Sequence, residues 1–126
     1  MTAAEMEAVR RFLAPSSIAI IGASEDPNTP SGRPLTILQQ HKYAGPIYLV
    51  NPRHETLGGL PCYPSVKDLP EPVDLALVCV PASRVAAVIQ ECGDVGIPAA
   101  YIISSGFGEA AGDAAVADVL MAAHAI

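Results

Sequence analysis

The chain has 126 residues, of which 51% are hydrophobic and 16% charged, so it is long enough for one domain with a buried core and too apolar to be disordered. Its net charge of -6 disfavours general nucleic-acid binding, which needs a basic surface. No apolar run reaches the ~20 residues that span a membrane. Three scattered cysteines without a CxxC pair predict reduced thiols in a cytoplasmic protein rather than a disulfide framework or a zinc site.

Apolar runs and helical patterns alternate along the chain. A Thr2-x-x-Glu5 capping pattern predicts a helix over 3–13 that Pro15 ends. Predicted strands cover 17–22, 46–51, 73–80 and 98–103, and predicted helices cover 34–42, 83–95 and 113–124. Residues 52–72 are predicted to be mostly loop, with one helical turn at 65–69. This alternation predicts an α/β fold, a Rossmann-like parallel sheet with helices on both faces.

The last predicted helix is followed by no further strand before residue 126. We therefore expect residues 1–126 to be a single domain, the N-terminal fragment of a longer multidomain protein. The sheet edge at which a fifth strand would dock would be exposed, and an exposed edge favours self-association into a homo-oligomer.

Ligands of open parallel sheets bind at the carboxyl ends of the strands. The first such loop, 22–32, has neither a G-x-G-x-x-G nor a Walker A motif. Its small residues and the glycine at a helix start are compatible with a phosphate site or with a plain connection. About 20 residues past a glycine loop, NAD-binding folds place an acid, but this chain has Asn51-Pro52-Arg53. Arginine there suits a phosphorylated ribose, as in NADP or coenzyme A, or is simply solvated.

Three arginines follow the first three predicted strands: Arg33, Arg53 and Arg84. Because parallel strands end at one edge, we expect the three on one rim, where they would form an anion site in an acidic protein. Solvated loop arginines are the alternative. The third loop, 80–84, can wall an adenine or begin a helix, and the fourth, 104–109, can cradle phosphate or a pantetheine chain or contact another domain.

No pattern predicts a catalytic or metal-binding residue. The three histidines are more typical of solvated side chains, and no carboxylate pair has a spacing that indicates acid–base chemistry. Cys79 is expected to be an inert core residue in mid-strand, Cys92 to pack under its helix, and Cys62 to be the exposed thiol.

Several segments resemble those of one family in their order and spacing. They include Pro15–Ser24, Gly45–Arg53, Gly58–Val66, Val80-Pro81-Ala82 and Ser104–Glu109. Through them, residues 12–110 resemble the N-terminal CoA-binding domain of NDP-forming acyl-CoA synthetases, a group related to the succinyl-CoA synthetase alpha subunit. The same domain also occurs fused to protein acetyltransferases.

The resemblance implies a module that holds CoA at the carboxyl ends of the strands while the CoA thiol attacks an acyl phosphate, a step that forms acyl-CoA and releases phosphate. With Arg33 added from the predicted rim, the expected CoA-binding residues are Gly22, Ala23, Ser24, Gly32, Arg33, Asn51, Pro52, Arg53, Val80, Pro81, Ala82, Ser104, Ser105 and Gly106. It also implies that ATP or GTP and the phosphorylated histidine belong to other domains or subunits of the synthetase. Two alternatives stay open: a CoA-sensing module of a protein acetyltransferase, and an NADP-binding oxidoreductase domain.

Overall fold

Six strands form one sheet in the computed structural model, which describes residues 2–103. The strands are β1 (Ile18–Ile21), β2 (Ile47–Val50), β3 (Thr56–Leu57), β4 (Leu60–Tyr63), β5 (Leu75–Val78) and β6 (Ala99–Ile102). The helices are α1 (Ala3–Leu13), α2 (Arg33–Gln40) and α3 (Ala82–Asp94), with a 3-10 turn at Val66–Asp68. The predicted glycine-rich loop and last helix, at 104–126, lie outside the described residues.

The strand order across the sheet is β3-β4-β2-β1-β5-β6, and every neighbouring pair is parallel except β3 and β4. The chain builds outward from β1 through β2 to β4 and then returns to the other side of β1 for β5 and β6. The order therefore reverses between β1 and β5, which is the switch point at which Rossmann-like folds bind their ligands. The predicted α/β, Rossmann-like fold is confirmed.

Helices cover both faces of the sheet because the central strands are apolar on both sides. Along β1, Ile18 and Ile20 belong to the apolar cluster that includes α2, while Ala19 and Ile21 belong to the cluster that includes α3. This alternation follows from the two-residue period of a strand. All four side chains are buried, so β1 is the centre of the core and its carboxyl end is firmly placed.

The first helix is capped as its sequence predicts, since the Thr2 hydroxyl accepts a hydrogen bond of 3.1 Å from the Glu5 N–H. Its far end lies against β6, where the Phe12 ring stacks on Tyr101 with centroids 6.2 Å apart. Asp74, just before β5, accepts a 2.8 Å hydrogen bond from the Ser16 N–H and so fixes the entry into β1. Among residues 2–103, no helix is long and apolar enough to cross a membrane.

The prediction of a mostly irregular segment at 52–72 is wrong for one part of it. A β-hairpin forms there, with β3 antiparallel to β4 and β4 parallel to β2. Its two-residue turn consists of Gly58 and Gly59, at φ of 55° and 80°, the positive angles that tight hairpin turns require. The predicted helical turn does form, as the 3-10 turn. The hairpin adds the end of β4 to the carboxyl edge of the sheet.

Candidate functional site

A glycine allows the two central strands to approach each other at the switch point. Gly22 follows β1 with φ of +85°, and a Cβ on it would lie 2.9 Å from the Cys79 carbonyl oxygen and 3.0 Å from Cγ1 of Val80. Its N–H donates a 2.7 Å hydrogen bond to the Val50 carbonyl at the end of β2. The ends of β1, β2 and β5 therefore meet at Gly22, where there is no room for a side chain.

Above this point lies a cleft of about 290 Å³. Its walls come from the ends of β1, β2, β4 and β5 and from one face of α3. The lining residues are Ile21, Gly22, Ser31, Val50, Asn51, Pro52, Arg53, Pro64, Ser65, Cys79, Val80, Pro81, Arg84, Val88 and Glu91. The position agrees with the strand-end prediction for this fold.

Two exposed arginines approach the cleft from the two sides of β1. Arg53 follows β2, and Arg84 lies in the first turn of α3. Within residues 2–103, neither guanidinium makes an ion pair. Glu91, two turns further along α3, is the one carboxylate among the residues that line the cleft. Unpaired guanidinium groups on both sides give the cleft the chemistry of an anion site.

The start of α3 adds to this positive character. Pro81 precedes the helix and provides no side-chain cap, and the first turn contains no acidic residue. The first N–H groups of a helix carry a partial positive charge and are a common anion-binding element. Because Pro81 and Arg84 both line the cleft, this helix end and its cation face the same space.

Asn51 connects the loops that follow β1 and β2. Its side-chain N–H donates to the Ala23 carbonyl at 3.0 Å, and its side-chain oxygen accepts from the Arg53 N–H at 2.9 Å. Its own main-chain N–H donates to the Tyr63 carbonyl at 2.9 Å. The loop that carries Arg53 is thus held to the loop after Gly22 and to the end of β4.

The loop after β1 is folded on itself, which places several predicted residues away from the cleft. The Gly32 N–H donates to the Thr29 hydroxyl at 3.1 Å, and a Cβ on Gly32 would overlap the Asp26 carbonyl. Gly32 is buried and does not line the cleft. Close packing within the loop requires glycine at position 32, and the Gly32 N–H already has an acceptor.

The structure brings two of the three predicted rim arginines together and separates the third. Arg33 lines a different cavity, an apolar trough of about 600 Å³ between α2, β5 and β6 on the other face of the sheet. Of the other predicted residues, Gly22, Asn51, Pro52, Arg53, Val80 and Pro81 line the cleft, whereas Ala23, Ser24, Gly32 and Ala82 do not. Ser104, Ser105 and Gly106 lie outside the described residues.

The thiols differ from the prediction in two places. Cys62, expected to be exposed, is buried with 8% of its surface accessible, and its thiol donates to the Asn51 carbonyl at 3.6 Å. Cys79, expected in mid-strand, follows β5 and lines the cleft half-buried, where desolvation raises its pKa to about 11. Cys92 is buried as predicted, and burial raises its pKa to about 12.

No group of side chains suited to holding a metal ion occurs in the described part of the chain. His41, at the end of α2, and His54, in the loop after β2, are both exposed. His124 lies outside the described residues.

Sequence reasoning missed several residues of the cleft. Pro64 and Ser65 follow β4, a strand that no sequence pattern predicts, so the strand-end rule could not point to them, although both lie in a segment that carries the family resemblance. Val88 and Glu91 are different, because they lie one and two turns beyond Arg84 on the same face of α3. The helical spacing of 84, 88 and 91 was a usable signal for them.

Comparison with known proteins identifies the family. A family model described as a CoA binding domain matches residues 16–125. The chain belongs to this family. This CoA-binding domain is 43% identical over 101 residues to acetate–CoA ligase [ADP-forming] II of Archaeoglobus fulgidus, covering 80% of the chain and 15% of the ligase. It is 41% identical over 98 residues to the alpha subunit of acetate–CoA ligase [ADP-forming] II of Pyrococcus furiosus, covering 78% of the chain and 21% of that subunit.

Solved structures agree with this assignment. The CoA-binding domain matches the dinucleotide forming acetyl-coenzyme A synthetase 1 of Ca. Korarchaeum cryptofilum with a TM-score of 0.84 and 38% identity, over 93% of the chain and 26% of the synthetase. The domain is thus homologous to one part of ADP-forming acyl-CoA synthetases and spans about a quarter or less of these relatives. The CoA-binding function predicted from the sequence is confirmed, and the comparisons support neither the acetyltransferase-linked nor the NADP alternative.

Proposed function

We propose that the domain holds the phosphorylated adenosine end of CoA in the switch-point cleft, as one part of an NDP-forming acyl-CoA synthetase. The observation that carries the proposal is the pair of unpaired arginines, Arg53 and Arg84, on the two sides of β1. The uncapped start of α3 lines the same cleft through Pro81. These are the groups that bind phosphate oxygens in proteins.

Charge makes this local arrangement significant. The whole chain carries -6, so an anion such as CoA is repelled by most of the surface and attracted at few places. The 3′-phosphate of CoA can accept hydrogen bonds from a guanidinium fork, which binds planar oxygen pairs better than a lysine does. Arg53, held close to the end of β2, is the residue that we assign to this phosphate.

The size of the cleft indicates how much of CoA it takes. About 290 Å³ is at the lower end of the range of small-molecule pockets. One end of the ligand fits, and the pantetheine arm with its thiol extends beyond the cleft. The proposed contacts are Gly22, Pro52, Arg53, Val80, Pro81 and Arg84, while Asn51, which also lines the cleft, holds the loop that carries Arg53. The remaining sequence-predicted residues, including 104–106, stay predictions.

The chemical role follows from this orientation. With the adenosine end anchored, the free thiol can be presented to an acyl phosphate formed elsewhere in the synthetase. Anchoring a remote part of a substrate lets its binding energy contribute to positioning the reacting group. The nucleotide and the phosphorylated histidine are assigned to other domains or subunits.

Calorimetric titration of the chain with CoA and with dephospho-CoA tests the proposal. We expect CoA to bind about tenfold or more tightly, since one charge-assisted phosphate contact contributes about 1.5–3 kcal/mol. Arg53→Ala should remove most of this preference, and Arg84→Ala should weaken both ligands through their pyrophosphate. Lys42→Gln is the matched control. Lys42 lies between α2 and β2, at the amino ends of the strands, so the variant removes one positive charge away from the cleft.

The outcomes are distinct. Equal binding of the two ligands by the unmodified chain would remove Arg53 from its phosphate role. A folded chain that binds neither ligand would overturn the assignment of CoA to this cleft. A loss caused equally by Lys42→Gln would show that only net charge matters.

A further inference from the structure

Asn51 occupies a junction between the two loops that form the proposed CoA site. Its side chain is half-buried, and both of its polar groups already have partners within the protein. The amide nitrogen donates a hydrogen bond to the carbonyl of Ala23, one residue beyond Gly22. The amide oxygen faces the main-chain N–H of Arg53.

We propose that Asn51 is a positioning residue that acts on CoA through Arg53, an inference that rests on the proposed function. The hydrogen bond from the Arg53 N–H to the side chain two residues earlier is an Asx turn, which fixes the local backbone. Pro52 at the centre of this turn has a restricted φ. The Arg53 main chain is therefore held rigidly, although its guanidinium is exposed.

The second hydrogen bond of Asn51 sets where this rigid turn lies. Through Ala23, the turn is tied to the loop that leaves β1, and through its main-chain N–H it is tied to the end of β4 at Tyr63. The main chain of Arg53 is thereby held in a fixed position relative to Gly22 at the floor of the cleft. A long cationic side chain contributes more to binding when its attachment point is fixed, because less conformational freedom is lost on binding.

A double-mutant cycle separates this indirect role from direct contact with the ligand or from general stabilisation. We compare the unmodified chain with Asn51→Ala, Arg53→Ala and the double variant. For each, calorimetry gives the Kd for CoA and for dephospho-CoA, and urea unfolding confirms the folded state. If Asn51 acts through Arg53, the double variant should bind CoA within about twofold of Arg53→Ala alone.

The ligand pair gives the second readout. Asn51→Ala should lower the preference for CoA over dephospho-CoA toward that of Arg53→Ala while changing dephospho-CoA binding by no more than about twofold. A merely structural role would weaken both ligands alike. Asn51→Ser, whose hydroxyl can accept the same N–H in a weaker turn, should recover part of the preference, and it replaces Asn51→Ala if that variant does not fold.

An additive loss in the double variant would overturn the inference, because it would mean that Asn51 and Arg53 act independently. So would an Asn51→Ala variant that keeps the full preference for CoA, and in that case the proposed function would stand. If the unmodified chain binds CoA and dephospho-CoA equally, Arg53 has no phosphate role and this inference fails, whereas a folded chain that binds neither ligand overturns the proposed function itself.

Discussion

Gly22 illustrates how a single residue makes the cleft possible. Gly22→Ala would introduce a Cβ 2.9 Å from the Cys79 carbonyl oxygen in a backbone region that alanine disfavours. We expect it to lower the free energy of unfolding through both effects. Gly96→Ala is the matched control, because Gly96 has a similar φ of +79° but a Cβ added there would meet nothing within 4 Å.

Urea unfolding of the two variants should separate contact from backbone strain. Gly96→Ala should cost about 1–2 kcal/mol, the preference against the left-handed conformation. Gly22→Ala should cost about 1–3 kcal/mol more, as overpacked sites do, and should also weaken CoA binding. Equal costs for both variants would mean that β1 and β5 can separate freely, contrary to the close approach described above.

Cys79 offers a reporter within the cleft. The thiolate is the form that reacts with iodoacetamide, and desolvation raises the pKa of this thiol to about 11. Alkylation should therefore be slow at neutral pH and should accelerate about tenfold per pH unit up to about pH 10. Acetyl-CoA, which lacks a free thiol, should slow the reaction by covering the cleft.

Mass spectrometry of the alkylated peptides provides the measurement and its control. Cys92 is buried outside the cleft, with a pKa of about 12, and its slow alkylation should not respond to acetyl-CoA. If acetyl-CoA leaves the Cys79 rate unchanged, the ligand does not cover the end of β5. A rate that is independent of pH from about 7 to 10 would contradict the raised pKa.

At the scale of elements, the start of α3 lacks stabilising groups at the place where we propose that CoA binds. A helix without a cap or an early acid is less stable than it could be, and α3 has neither. Ser83 lies in this first turn and is exposed. Ser83→Asp should stabilise the helix by about 0.3–1 kcal/mol, and by the same interaction it should weaken CoA binding by about two- to fivefold.

Ser83→Asn controls for shape, since it differs from Ser83→Asp in charge alone. Thermal unfolding and CoA titration of both variants are needed, because the prediction is that stability and affinity change in opposite directions. If Ser83→Asp raises the Tm without weakening CoA, the start of α3 does not face the ligand. A parallel change in both would also contradict the proposed site.

Elements were predictable where burial alone dictates them. The four predicted strands, β1, β2, β5 and β6, are short apolar runs, and the helices show a clear periodicity, so their order determined the fold class. The hairpin was not predictable in this way. β3 has two residues, too few to show any period, and β4 contains Pro61, which argues against a strand. It forms because Gly58 and Gly59 permit the turn and Leu57 is buried in the core.

For the molecule as a whole, the sequence predicted the end of the strands at which the cleft lies, but not the face of the sheet on which each helix and its arginine lie. The strand-end rule correctly brought the segments after β1, β2 and β5 to one cleft. It could not show that the reversal of strand order places α2 and α3 on opposite faces. Arg33 and Arg84 begin these two helices, so they lie on opposite sides despite equivalent places in the sequence pattern. Hydrogen bonds such as those of Asn51 depend on side-chain geometry that no spacing encodes.

The two edge strands of the described sheet differ in length, so one edge can pair with a further strand more readily than the other. At one edge stands β3, whose two residues offer almost no backbone for another strand to pair with. At the other, β6 has four residues and, within residues 2–103, a single paired neighbour, β5. Further strands, whether from the same polypeptide or another, can therefore extend the sheet at β6, two strands away from β1. A strand added at β6 would leave the ends of β1, β2, β4 and β5, which line the cleft, in place.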